Sequence, residues 1–254
     1  MSPQKMEVVD LNNAASPPPA DPSALDAAWL ESYEKLMDQS QTTAFVLFTS
    51  PAWKAVDDDP ARTGIQLYEA SFGSEHGYYA LKVHAQLPVR AERLLHVIRD
   101  HDERTRLAWD SEHVSEVRVV QELVLPKRRE QIRVVKSRVT TGIPKVLPRS
   151  LLGIDWWCYN NTSRVFKYVF RTTQHHKTEM PASGCVAIIG MVAALIRVIE
   201  FRLCELVLVI HVNPGDSFPS AIAHVCKTWL RDRVALYRRV VEHWDDYYFR
   251  KVAQ

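Results

Sequence analysis

At 254 residues, with 46% hydrophobic and 24% charged residues, the chain has the make-up of an ordinary globular protein, long enough for one large domain or two small ones. Its 8 Gly and 14 Pro exclude a low-complexity chain, and its longest apolar run, Cys185 to Ile196, is too short for a membrane helix, which needs ~20 residues. The net charge of +2 conceals an asymmetry: residues 1–60 hold 3 Lys and no Arg against 10 Asp and Glu, a balance of −7, which leaves 29 basic against 20 acidic residues, or +9, in the rest.

That basic excess suits an anionic membrane surface, and it is too diluted along the chain to argue for nucleic acid. Cys158, Cys185, Cys204 and Cys226 lie in apolar runs with no C-x-x-C spacing, which reads as reduced core cysteines of a cytoplasmic protein. The N-terminus lacks the basic-then-apolar pattern of a secretory signal.

In chain order, residues 1–22 are polar and rich in Pro and Ala, and are expected to form a disordered tail. Ser23 to Met37 has a helix pattern. Pro51 to Arg62 is a polar loop whose Asp57, Asp58 and Asp59 read as solvated rather than metal-binding, because consecutive carboxylates in a loop rarely converge. The period then changes to two. Gly64 to Phe72 and Tyr78 to Leu87 are strands joined by a S-E-H-G turn. Ala91 to Asp100 and Glu103 to Ala108 are helical, and lead into Trp109-Asp110.

Next come strands over Val114 to Val124 and Ile132 to Val139, joined by the basic turn Lys127-Arg128-Arg129. A proline-bearing loop covers Thr141 to Arg149. Leu151 to Tyr159 and Arg164 to Thr173 form a hairpin about Asn160-Asn161. Gly184 to Ala194, Ile196 to Phe201 and Glu205 to Val212 complete the strands. Asn213-Pro214-Gly215 is a turn, with Asp216, Ser217 and Pro219 suited to open a helix. In that helix Ile222, Cys226, Trp229, Leu236, Tyr237, Val240 and Trp244 share one face. Lys227, Arg231, Arg238, Glu242, Asp245 and Asp246 lie opposite, and Arg233 sits in the middle of the apolar face.

The count is about nine strands, mostly hairpin-linked and so antiparallel. The layout is α+β, a curved antiparallel sheet gripping a long C-terminal helix over an internal space. No catalytic set emerges. There is no G-x-S-x-G elbow and no glycine-rich phosphate loop, and His175-His176 are adjacent rather than four apart. No catalytic residue, metal or cofactor is expected.

Three stretches together resemble the START (StAR-related lipid-transfer) domain family. G-I-Q-L-Y followed by Y-Y-A-L-K-V-H-A-Q-L is similar to its first hairpin. A-E-R-L-L-H-V-I-R-D-H-D-E-R-T-R-L-A-W-D is similar to its inserted helices, with Trp109-Asp110 at the family's Trp-Asp. The stretch 212–219, with Asn213-Pro214-Gly215 and Phe218-Pro219, resembles the entry to its C-terminal lid helix. The likeness covers about residues 25–246. It departs from the family at Arg149-Ser150-Leu151, where Arg-Asp-Phe is usual, and in the unusually apolar stretch after Gly184.

The resemblance implies one START-like domain over residues 23–254, with a helix-grip fold and a single lipid cavity lidded by the C-terminal helix. Such proteins bind one sterol, phospholipid or similar lipid, move it between membranes or sense it, and are not enzymes. The expected partners are therefore a lipid and, transiently, a membrane surface. The expected state is a monomer in the cytoplasm, peripheral on membranes.

Alternation along Leu151 to Tyr159 puts Leu152, Ile154, Trp156 and Cys158 on one face and Leu151, Gly153, Asp155, Trp157 and Tyr159 on the other. A carboxylate buried there needs a partner. By resemblance, sterol-binding relatives pair an acid and a cation on the fifth and sixth strands. Counted without gaps from Arg149, these places fall on Lys136 and Asp155 with the signs reversed, so a Lys136–Asp155 pair facing the ligand is expected. The alternative is that Asp155 faces solvent and Trp156 points inward.

Arg233 has three options: to reach a lipid phosphate or hydroxyl, to pair with a carboxylate at the cavity rim, or to lie out across apolar surface. The candidate ligand-binding set is Lys136, Arg149, Asp155, Trp157, Tyr159, Phe218, Ile222, Trp229 and Arg233. Arg231, Arg238 and Arg239 form either a solvated helix face or a membrane-docking one. One charged pair in an apolar cavity would favour a sterol, and several inward arginines a phospholipid. Two other readings compete: a helix-grip enzyme acting on a hydrophobic small molecule through Lys136 and Asp155, and a lipid-sensing adaptor using the acidic N-terminal tail.

Overall fold

The structure is a computed structural model, and it describes residues 22–56, 64–71, 79–125, 127, 130–140, 148–173, 188–213 and 221–249. The chain begins with α1 (Pro22–Thr49), the edge strand β1 (Lys54–Ala55) and the strands β2 (Ile65–Ser71) and β3 (Tyr79–Leu87). Two short helices follow, α2 (Ala91–Ile98) and α3 (Glu103–Asp110). Then six strands run in succession: β4 (Val114–Leu125), β5 (Glu130–Val139), β6 (Arg149–Asn160), β7 (Val165–Thr172), β8 (Ile188–Glu200) and β9 (Leu203–Asn213). The long helix α4 (Ala221–Glu242) and the one-turn α5 (Trp244–Tyr248) close the described chain.

The nine strands form one antiparallel sheet in the order β1-β2-β3-β9-β8-β7-β6-β5-β4. After the first hairpin the chain crosses to the far edge through α2 and α3. It then meanders back, so that β9 docks on β3 and the sheet is completed from both sides.

The sheet is buried on two faces. On its inner face α2, α3 and α4 pack against residues such as Leu67, Leu81, Val135, Phe170 and Leu206. On its outer face Tyr33, Met37, Ala44 and Leu47 of α1 cover Ile154, Trp156, Met191 and Val209. Double coverage explains β8. A strand buried on both faces needs no polar alternation and reads as a continuous apolar run. Its 13 residues form one strand where the sequence suggested two. The total of nine is restored by Lys54–Ala55, which pairs with Tyr68 and Glu69 at the edge.

Helix α1 runs twelve residues beyond Met37, to Thr49. Along its polar stretch Ser40, Thr42, Thr43 and Thr49 donate their hydroxyls to the carbonyls of Leu36, Asp38, Gln39 and Phe45, four residues back, at 2.6–3.0 Å, which satisfies the hydroxyls without interrupting the helix. The buried positions 33, 37, 40, 44 and 47 keep one stripe on the sheet.

Helix α4 buries Leu230, Val234, Tyr237, Val240 and Val241, with Arg233 among them. Gly153 is needed where β6 meets β7: a Cβ there would lie 2.5 Å from the Arg171 carbonyl oxygen and from the Phe170 ring. Among the described residues, no helix is long and apolar enough to cross a membrane. Residues 1–21, the Asp57–Asp59 triplet, the S-E-H-G turn, His175-His176 and the Asn213-to-α4 connection (214–220) lie outside the described residues.

Candidate functional site

A cavity of about 150 Å³ lies between the inner face of the sheet and α4. Its walls are largely apolar. Val114, Val117, Val135, Val139 and Leu151 come from β4–β6, and Phe170, Val192, Leu208 and Ile210 from β7–β9. The polar groups come from His101, Arg106, Ser137, Tyr168, Arg233 and Tyr237. Burial pushes the Tyr168 hydroxyl far above its ordinary value, so it stays a neutral hydrogen-bond donor on the wall.

Two clusters built on buried carboxylates organise this polar side. The first centres on Asp110, at the end of α3, whose residue is 1% exposed. Arg106, one helical turn earlier, donates to it through Nε at 2.9 Å and approaches it with Nη2 at 2.8 Å. Arg233 reaches across from α4 and donates Nη1–H to the same Oδ2. The Arg233 guanidinium is sandwiched on its own helix by Trp229, 4.8 Å to the ring centre, and Tyr237, 5.9 Å. Two guanidiniums thus share one carboxylate at the cavity. Alongside, Asp100 Oδ2 accepts from Trp109 Nε1 at 3.1 Å and from Tyr248 Oη at 2.9 Å, which ties α5 to the α2–α3 region.

The second centres on Asp155 on β6, fully buried. Arg133, directly opposite on β5, grips it with Nε–H to Oδ1 at 3.0 Å and Nη2–H to Oδ2 at 2.6 Å, a fork-to-fork pair. Arg99 Nε at 3.3 Å and His101 Nε2 at 3.2 Å also reach Oδ2. Burial by itself would raise this carboxyl, but hydrogen bonds from His101 and Arg133 and their charges hold it well below the usual carboxylate range. Burial also lowers His101, only partly offset by Asp155, so the imidazole is neutral near pH 7 and donates from Nε2.

The expected Lys136–Asp155 pair does not form. Lys136 is aligned with Leu152 and sits 3.6 Å from Glu116. The cation aligned with Asp155 is Arg133, three residues earlier. An ungapped count across the β5–β6 loop misplaces the register by an odd number, and an odd slip moves a side chain to the other face of its strand. Nor does Asp155 face solvent with Trp156 inward. Trp156 packs on the outer face against α1.

Trp229 and Arg233 line the cavity. Trp157 and Tyr159 are not among its lining residues. They share the inner face with Asp155 but are each 39% exposed and pack on Phe166, with the Arg99 guanidinium 5.2 Å from the Trp157 ring. Phe218 lies outside the described residues. Arg149 opens β6 opposite Val139, and Ile222 lies in the first turn of α4, but their side chains fall outside what is described. On the outward face of α4 Arg238 and Arg239 are exposed, and Arg238 pairs with Glu242 at 2.8 Å.

The residues that sequence reasoning did not assign to the site are Arg99, His101, Arg106, Asp110, Arg133 and Tyr168. A partial signal existed for two of them, since Arg106 and Asp110 stand at i, i+4 spacing on one helix face. Among the described residues no group of three or more His, Cys, Asp or Glu is placed to hold a metal ion.

No protein-family model matches this sequence, and no curated protein sequence does. Solved structures match it in three dimensions. Human STARD10 superposes with a TM-score of 0.68 at 16% identity, over 83% of this chain and 82% of that one. Human StAR-related lipid transfer protein 5 gives 0.67 at 12%, over 87% and 99%. The lipid transfer and protein localization domain of human StarD13 gives 0.61 at 15%, over 81% and 96%. With its nine-stranded antiparallel sheet, inserted helix pair and C-terminal helix lying over a cavity, this chain has the helix-grip fold of START domains.

Proposed function

We propose that the protein, as one domain over residues 23–254, binds a single lipid in the cavity under α4 and carries or senses it. We further propose that this lipid bears an anionic, phosphate-type headgroup. The observation that carries the proposal is the pair Arg106 and Arg233, two guanidiniums on the cavity wall that meet at Asp110. The buried Asp100 also acts on Arg106, so the two cations stand beside two carboxylates, and a ligand phosphate would take a guanidinium over from Asp110. Guanidinium also matches phosphate geometry well. A sterol would offer only a hydroxyl.

The neighbours named for lipid transfer support the lipid class. The cavity is smaller than the ~300–1,000 Å³ usual for ligand sites, so a lipid enters it only as its walls move apart. The protein works as a monomer in the cytoplasm, touching membranes transiently, without cofactor or catalysis. An enzyme would need a converging acid and base, and the one pair named for that role, Lys136 and Asp155, is not formed.

Native mass spectrometry of protein purified from its host tests the proposal. A bound species with the mass of a phospholipid is expected. An empty protein that also extracts nothing from vesicles of varied composition would sink the lipid reading, and a bound sterol would sink the headgroup assignment.

A further inference from the structure

Three turns lie side by side at one end of the sheet: the β6–β7 turn (161–164), the β8–β9 turn (Phe201-Arg202) and the segment leaving β3 (Pro88 to Arg90). Their adjacency follows from the register. Val165 is aligned with Arg197 and Leu87 with Cys204, and the Val198 N–H donates to the Arg164 carbonyl at 2.9 Å. The cavity lies toward the other end, where its lining residues Val139 and Leu151 stand at the opposite ends of β5 and β6.

Phe201 caps the β8–β9 turn and is 70% exposed. One cation lies over its ring, and others stand on the same end of the sheet. The Arg90 guanidinium lies 4.7 Å from its ring centre, Arg202 is next in sequence, and Arg164, Lys167 and Arg197 are exposed on the neighbouring strands and turn. These five cations face three carboxylates, Glu92, Glu200 and Glu205. Glu92 lies 3.9 Å from Arg90, and Glu205 lies 3.4 Å from Arg197 and 2.8 Å from His84.

We propose that this end of the sheet is a docking surface for an anionic lipid bilayer. Phe201 enters the interfacial layer while Arg202, Arg164 and Lys167 meet lipid phosphates. An aromatic tip on the same end as long basic side chains has the chemistry of that layer: the ring gains by leaving water, and each cation near the surface gains from the negative potential of the leaflet. A single protruding tip is too small for a protein interface, which buries ~800 Å² per partner. Docked in this way, the cavity end of the molecule points away from the bilayer that holds it. The proposal goes beyond the cavity reading and does not depend on it.

Co-sedimentation of the full chain with vesicles tests it, using phosphatidylcholine alone and phosphatidylcholine mixed with phosphatidylserine. The wild type is expected to pellet with the mixed vesicles only, and less so in high salt. Phe201→Ser and Arg202→Glu are each expected to weaken vesicle binding by about fivefold or more, with unchanged melting temperature because both side chains are exposed. Phe45→Ser is the control, since Phe45 is 67% exposed on α1 across the sheet, and it leaves binding unchanged.

The proposal is overturned if the wild type ignores the mixed vesicles, if the Phe201 and Arg202 variants bind as well as wild type, or if Phe45→Ser loses as much. It is also overturned if Phe201→Ser turns a dimer into a monomer while vesicle binding stays intact, because the surface would then serve a second copy of this chain. Native mass spectrometry reads the cavity separately. Docking without bound lipid counts against the cavity reading alone, and bound lipid without docking counts against this one alone.

Discussion

Arg133 and Asp155 face each other across β5 and β6, and the guanidinium holds both oxygens of a carboxylate that solvent does not reach. Removing the anion leaves Arg133 and Arg99 beside each other with no counter-charge. Breaking a buried pair in this way costs about 3–5 kcal/mol. Asp155→Ala should therefore lower the urea midpoint by that equivalent with an unchanged slope. A loss under about 1 kcal/mol would mean that the cluster is already solvated.

The Asp110 site makes an asymmetric prediction. Arg233→Met leaves Asp110 still held by Arg106, so stability should fall modestly, by roughly 1 kcal/mol, while capture of phosphate-bearing lipids is lost. Asp110→Ala removes the carboxylate that both guanidiniums bond, strands Arg233, and should cost about 3–5 kcal/mol. Chemical denaturation of the two variants side by side, with vesicle extraction on Arg233→Met, checks both halves. Equal destabilisation would argue against a shared carboxylate.

Stability should depend on pH below neutrality. Burial, with Arg171 nearby, lowers His211 to about 4, and burial likewise lowers His101. A histidine whose folded pKa lies below its unfolded value of ~6.5 binds fewer protons when folded. Its contribution is complete above ~6.5 and is lost as the pH falls from there toward the folded value. For His211 that window, from ~6.5 down to about 4, corresponds to about 3 kcal/mol. His211→Gln should flatten the stability profile over this window, read from melting temperatures at a series of pH values. Asp155, with its depressed carboxyl, adds its own loss only below ~3.9, as the pH falls toward its folded value.

Gly153→Ala should be destabilising although glycine is a poor strand residue. The new methyl would meet the Arg171 carbonyl oxygen at 2.5 Å, and backbone cannot swing aside as a side chain can. Overpacking of this kind costs about 1–3 kcal/mol. Because the Phe170 ring is the other obstacle and lines the cavity, lipid uptake should fall as well. An alanine variant as stable as wild type would show that β6 and β7 can separate freely.

The strands were legible from period-two patterning, the helix pair from its apolar spacing and the long C-terminal helix from its face. Each depends on residues within a few positions of one another. The exceptions have local causes. The α1 extension was masked by the polar run Asp38 to Thr43 between its buried positions Met37 and Ala44, and β8 read as two strands because burial on both faces removes the alternation that marks a strand.

At the site, the chain alone determined that Asp155 on β6 and Arg233 on the apolar face of α4 would each need a partner if buried, since an isolated buried charge is not tolerated, and it left open whether Asp155 faced the cavity or solvent. Which partner each received was decided only by tertiary structure. Arg133 meets Asp155 through the β5–β6 register. Arg233 meets Asp110 across 123 positions of sequence, because α4 packs on α2 and brings Arg233 to the end of α3. The need for a counter-charge is a property of the residue and its face. Its identity depends on strand register and helix docking, which the packing of the whole sheet sets.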